Sequence, residues 1–101
     1  MKLGKVEKKV LEAMLQWHRK GLNWLTLEQT ALIQDDFGCS VYLVDRHKKG
    51  IYKGGSLDWH DWYGHKERLE RLIQKGFIRK CVKSHNTFYA LTGKAIDFLI
   101  G

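Results

Sequence analysis

The chain has 101 residues, 44% of them hydrophobic and 29% charged, from which one folded domain around a single core is expected rather than a disordered or fibrous chain. Eighteen Lys and Arg against eleven Asp and Glu give a formal charge of +7, a balance that points to a polyanionic partner. No apolar run approaches the roughly 18 residues of a membrane span, so no membrane association is expected. The charge is uneven. Residues 1–38 carry six basic and five acidic side chains, whereas residues 39–101 carry twelve and six, which places the expected interaction surface in the second part.

From Gly4 to Lys20, Val6, Val10, Met14 and Trp17 fall on one stripe flanked by Leu11 and Leu15, predicting a core-facing helix that stops at Gly21. The short apolar piece Leu22-Asn23-Trp24-Leu25 follows. Thr26-Leu27-Glu28-Gln29 then reads as a capping box, with Thr26 the cap and Gln29 reaching back, opening a second helix from Leu27 to about Asp36 that buries Leu27, Ala31 and Leu32. Residues 39–57 change character. Val41, Leu43 and Ile51 alternate with polar residues between glycines, which reads as a hairpin or an irregular loop with strand-like pieces.

Helical periodicity returns from Asp58, with Trp62, Leu69, Leu72 and Ile73 on one stripe and Gly76 at the stop. Phe77–Val82 and Thr87–Leu91 are two strand-like runs separated by the polar turn Lys83-Ser84-His85-Asn86, so a β-hairpin is expected. Thr92 can cap a last short helix, Gly93–Ile100. The four tryptophans are assigned to core packing, with Trp59, between Asp58 and His60, a candidate for the rim.

This order of elements, with Leu72-Ile73-Gln74-Lys75-Gly76-Phe77-Ile78 ending one helix and Tyr89-Ala90-Leu91-Thr92 returning from a hairpin, resembles a winged helix-turn-helix domain. The likeness is to transcription regulators of the MarR and PadR type, and it is strongest in the last third. It implies an α+β fold, with a three-helix core, a two-stranded β wing and a short C-terminal helix, spanning residues 1–101. Residues 39–57 stand as an insertion where the family has a tight turn between its second and third helices. The resemblance also implies a recognition helix over about 59–75 in the major groove of double-stranded DNA, a wing over 77–91 on the adjacent groove or backbone, and a homodimer on a two-fold site.

A helical wheel that turns Trp62, Leu69, Ile73 and Gly76 inward sends His60, Gly64, Glu67, Arg68, Arg71, Gln74 and Lys75 outward, with Arg68, Arg71 and Lys75 on one face. Under the resemblance Arg68 and Arg71 read bases and Lys75 holds phosphate, with Glu67 and His60 beside them. The same residues also fit a solvated helix face with Glu67 and Arg71 as an i,i+4 ion pair. At the hairpin turn, Lys83, His85 and Asn86 are wing candidates, and Arg79 and Lys80 should point to opposite sides of their strand. Arg46, Lys48, Lys49 and Lys53, near Tyr42 and Tyr52, suit a loop that follows phosphates, or a solvated loop.

Cys39 and Cys81 are too isolated for a disulfide scaffold or a zinc ribbon and read as free thiols, although a single bridge between them stays open. His60 and His65 are five apart and do not share a helix face, and Cys39, His47, Cys81 and His85 meet only if the tertiary fold joins them. No metal, cofactor or small-molecule ligand is expected. No nucleophile, phosphate-loop or zinc-protease motif occurs, and Asp35-Asp36 reads as a helix end, so no enzymatic activity is expected. Met1–Lys5 lacks the apolar segment of a secretory signal, which predicts an intracellular, cytoplasmic protein. Two alternatives to a regulator are a protein-interaction adaptor built on the same fold and a replication or plasmid-maintenance initiator.

Overall fold

The computed structural model of the chain describes residues 3–34, 40–44, 50–53 and 59–101, and side chains outside 33–63. It is an α+β arrangement. In chain order the elements are α1 (Lys5–Arg19), α2 (Leu27–Ala31), β1 (Leu32–Gln34), β2 (Ser40–Val44), β3 (Gly50–Lys53), α3 (Trp59–Gln74), β4 (Ile78–Lys83), β5 (Asn86–Leu91) and α4 (Gly93–Ile100).

Local chemistry fixes most helix ends. At the start of α1, Glu7 Oε1 accepts the Gly4 N–H at 2.8 Å. The helix ends at Gly21, whose φ of +90° only glycine adopts easily, and the Leu22 N–H reaches back to the Trp17 carbonyl. Gly76 closes α3 in the same way, at φ +83° with Phe77 N–H on the Leu72 carbonyl. Thr26 and Gln29 cap α2 reciprocally as expected, Thr26 Oγ1 accepting the Gln29 N–H and Gln29 Oε1 accepting the Thr26 N–H. Thr92 caps α4 by accepting the Ala95 N–H and also donates to the Gly76 carbonyl at 2.7 Å, joining the start of α4 to the end of α3.

The second helix is shorter than its periodicity predicts. It stops at Ala31, and Leu32–Gln34 continue as β1, paired antiparallel with β2. Two interactions compete with helix extension there: strand pairing takes the backbone of Leu32, and the Trp17 indole N–H donates to the Leu32 carbonyl at 2.9 Å. Of the two readings of 39–57, a hairpin or an irregular loop, the strands β2 and β3 follow the first, with Tyr42 opposite Tyr52, and β1 extends the pair to a three-stranded sheet.

The core joins Val10, Leu11, Met14 and Leu15 of α1 to Leu25, Leu69, Leu72, Phe77, Ile78, Tyr89, Leu91 and Ala95. Burying each leucine here stabilises the fold by about 1.5–3 kcal/mol. Leu25, just before α2, forms an antiparallel bridge with Tyr89, the two backbones exchanging hydrogen bonds of 2.8 Å, so the chain ahead of α2 lies along the outer edge of β5. On α4, Ala95 is buried, while Phe98 and Ile100 are exposed, with Phe98 edge-on to Phe77. Among the described residues no helix is long and apolar enough to cross a membrane.

Candidate nucleic-acid interface

Helix α3 faces the core with a different side from the one its apolar residues suggest. His65, Arg68, Leu69 and Leu72 are buried, and so is Gly64, whereas Lys66, Glu67, Arg71 and Gln74 are exposed and Glu70 is half-buried. At 100° per residue the core-facing stripe is turned by roughly 60° from the expected one. Arg68, expected outward as a base reader, is instead buried and engaged within the fold, as Gly64 is buried rather than outward.

Lys75 departs from expectation as well. Its ammonium spans both carboxylate oxygens of Glu7, at 2.9 and 3.0 Å, joining the last turn of α3 to the first turn of α1. Burial acts to raise the Glu7 pKa, but the Lys75 hydrogen bonds, the Gly4 N–H and the charges of Lys75 and Arg71 outweigh it and hold the carboxyl below its ordinary value. Lys75 therefore serves a structural ion pair rather than standing ready for phosphate.

The buried centre of α3 is polar. Thr30 Oγ1 donates to the Leu27 carbonyl at 2.6 Å, so at 2.7 Å it accepts from His65 Nε2, which fixes the imidazole proton on Nε2. This bond ties α2 to α3 across 35 residues of sequence and keeps the two helices together despite the intervening sheet. Desolvation, reinforced by the nearby Arg68 charge and only partly opposed by a Leu27 backbone hydrogen bond, pushes the His65 pKa down to about 3. The imidazole is neutral at physiological pH.

On the outward face of α3, Lys66 and Arg71 are balanced by Glu67 and Glu70. Among the described residues no ion pair joins Glu67 to Arg71; Glu70 instead pairs with Lys80 of β4 at 3.0 Å. Glu67 and Arg71 are exposed as expected, and Lys66, which the sequence reading does not single out, is an exposed cation beside them.

The hairpin carries the stronger charge. Its strands bear Arg79, Lys80 and Lys83 and no carboxylate. Ser84 and His85, at φ +51° and +68°, form a two-residue turn of the mirror-image type that matches strand twist, with Lys83 and Asn86 paired across its base. Lys83, His85 and Asn86 are all exposed at this tip, where the sequence places them. Arg79 and Lys80 do point to opposite sides, Arg79 onto Trp24 and Lys80 towards Glu70. Trp24, expected in the core, is 42% exposed.

Lys48 and Lys49 lie outside the described residues, as do Arg46, His47 and Cys39. Lys53 and His60 are described only as backbone in β3 and α3. The side chains of Trp59 and Trp62 likewise fall outside the described set. Cys81 is an exposed free thiol. No group of three or more His, Cys, Asp or Glu able to hold a metal ion occurs among the described residues. Compared with known proteins, the chain matches no family model, no curated protein and no solved structure.

Proposed function

We propose that the chain is a winged helix-turn-helix protein that binds double-stranded DNA and regulates transcription. The observation that carries this reading is the cationic hairpin β4–β5, which follows α3 directly, has no carboxylate of its own and is bridged to the segment before α2 through Leu25 and Tyr89. The order α1, α2, α3, hairpin, α4, with the bridging segment at Leu25 and the sheet β1–β3 set between α2 and α3, is compatible with a winged helix that carries an insertion. A neutral recognition surface flanked by a positive wing suits a protein whose helix selects sequence while its wing holds the phosphate backbone.

In this reading Arg71 and Lys66 on the outward face of α3 approach base edges, with Glu67 beside them, and Lys83, His85 and Asn86 at the turn meet the sugar-phosphate backbone. Arg68 and Lys75 are structural. The apolar surface of Phe98 and Ile100 on α4 supports assembly as a homodimer on a two-fold site.

The test is selection of bound duplexes from a random pool, followed by fluorescence anisotropy on the selected site. Arg71→Ala should cost about 1–3 kcal/mol there and relax specificity at the contacted position. Lys83→Ala should weaken all duplexes alike. Failure of the intact chain to bind any duplex at low salt would overturn the proposal in favour of an adaptor role, and equal losses for Arg71→Ala on every sequence would reduce Arg71 to a phosphate contact.

A further inference from the structure

The hairpin has two faces, and only one of them packs on the core. Register pairs Ile78 with Leu91, Lys80 with Tyr89 and Val82 with Thr87 on the core side, which leaves Arg79 with Ala90, Cys81 with Phe88 and Lys83 with Asn86 on the other. The antiparallel bridge of Leu25 to Tyr89 adds a third strand-like segment and sets Trp24 beside Ala90 on that same outer face. Arg79 reaches across the small Ala90 to lie over the Trp24 ring, with its guanidinium carbon 5.0 Å from the ring centroid.

The result is an outer face bearing one exposed aromatic ring, a second half-buried one at Phe88, and the exposed cations Arg79 and Lys83. No carboxylate lies on either strand. Trp24 is 42% exposed beside strands whose charged side chains are all cationic, and charge complementarity here calls for a polyanion. Flat rings interleaved with cations on an open sheet face meet two demands of unpaired nucleotides at once: base planes stack on the rings, and the phosphates between them meet the guanidinium and ammonium groups. A rigid duplex keeps its base planes stacked inside and has no use for the rings.

We propose that the outer face of the hairpin, centred on Trp24, Arg79 and Phe88 and flanked by Lys83, binds single-stranded nucleic acid. The stacked Arg79–Trp24 pair supplies a preformed edge against which a base plane rests, and Lys83 follows the backbone towards the turn. This surface lies apart from the outward face of α3, shares only the cations Arg79 and Lys83 with a duplex contact, and does not rest on the duplex reading.

The experiment is fluorescence anisotropy of a labelled oligothymidylate, about 15 nucleotides long, titrated with the full chain at low salt, with a duplex of equal length and polyglutamate as competitors. The oligothymidylate should bind. Trp24→Ala should weaken it about 5- to 150-fold, the range of one lost base stack, while Trp24→Phe retains most of the affinity. Arg79→Gln, on an exposed strand position, should weaken binding several-fold and provides a second readout if Trp24→Ala fails to fold. Arg71→Ala should leave the oligothymidylate unaffected while impairing duplex binding, which separates the two readings. Absence of oligothymidylate binding, or affinity indifferent to both Trp24→Ala and Arg79→Gln, overturns the proposal. Displacement by polyglutamate as effective as by unlabelled oligothymidylate would also overturn it, assigning the face to an acidic protein.

Discussion

His65 makes stability depend on pH in a way that can be isolated. The imidazole is buried, donates from Nε2 to Thr30, and has its pKa pushed down to about 3, against 6.5 as the ordinary value that the unfolded chain recovers. Its folded pKa lies below its unfolded one, so its contribution is fully present above the unfolded value and is lost as pH falls towards the folded one. Within that window the unfolded chain binds one more proton than the folded chain at this site, a slope of about 1.4 kcal/mol per pH unit. Integrated from about pH 7 to about pH 5, the loss is about 2 kcal/mol, a large share of a small domain's stability. Urea unfolding followed by far-ultraviolet circular dichroism at fixed ionic strength measures it, and His65→Gln supplies the control, because the glutamine amide can still donate to Thr30 but does not titrate. Carboxylates and the other histidines are common to both proteins, so the difference between the two stability curves reports His65 alone. Equal slopes for wild type and His65→Gln would refute the argument, as would a histidine proton resonance assigned to His65 that titrates near its ordinary value in the folded protein.

Two further perturbations probe the joints of the fold. Glu7→Gln removes the charge that binds Lys75 while leaving an oxygen for the Gly4 N–H, and should cost about 1–2 kcal/mol in urea unfolding at neutral pH. Because the Glu7 pKa is lowered on folding, the penalty should be full above the ordinary carboxyl value of 4.5 and vanish as pH falls through the lowered folded value. At the wing turn, Ser84 and His85 both occupy the left-handed region that β-carbon sterics disfavour. The double change Ser84→Asn, His85→Gly should therefore raise stability by about 1 kcal/mol, read as a higher urea midpoint with an unchanged slope.

The features that could be read from the sequence are those whose cause lies within a few residues. The Thr26–Gln29 box, the Thr92 cap, the glycine stops at 21 and 76 and the hairpin around Lys83–Asn86 each depend on neighbours in sequence, and each stands where expected. What escaped depends on distant partners. Periodicity counts apolar residues as interior, so a helix whose buried stripe contains His65 and Arg68 was oriented by Trp62, Ile73 and Gly76 instead. A polar residue 35 positions away, Thr30, is what makes the buried histidine tolerable, and nothing local announces it. The early end of α2 has the same origin, since the group that captures the Leu32 carbonyl belongs to Trp17 on another helix. Size alone assigns Trp24 to the core, whereas its place beside Ala90 follows from the bridge of Leu25 to Tyr89, a partner far away in sequence.

The same redistribution changes how much charge the protein can present to DNA, and salt dependence measures it. After residue 38, eight Lys and Arg side chains are described. Arg68 is buried, Lys75 holds Glu7, Lys80 holds Glu70, and Lys94 donates to the Lys75 carbonyl, leaving Lys66, Arg71, Arg79 and Lys83 exposed and without an ion pair to a carboxylate among the described residues. Each phosphate neutralised contributes about −0.9 to the slope of log affinity against log salt, so these four give about −3.6 on duplex DNA, not the roughly −7 of all eight. Lys48, Lys49 and Lys53 would add about −2.7 if they reach the same duplex. Anisotropy titrations over a tenfold range of salt, on wild type and on the variant with those three lysines changed to alanine, distinguish the cases. A slope that flattens by nearly three units in the variant places the 39–57 segment on the DNA, and an unchanged slope keeps it off. A wild-type slope that Lys75→Gln flattens by about one unit would mean that Lys75 leaves Glu7 on binding, and would refute its assignment as structural.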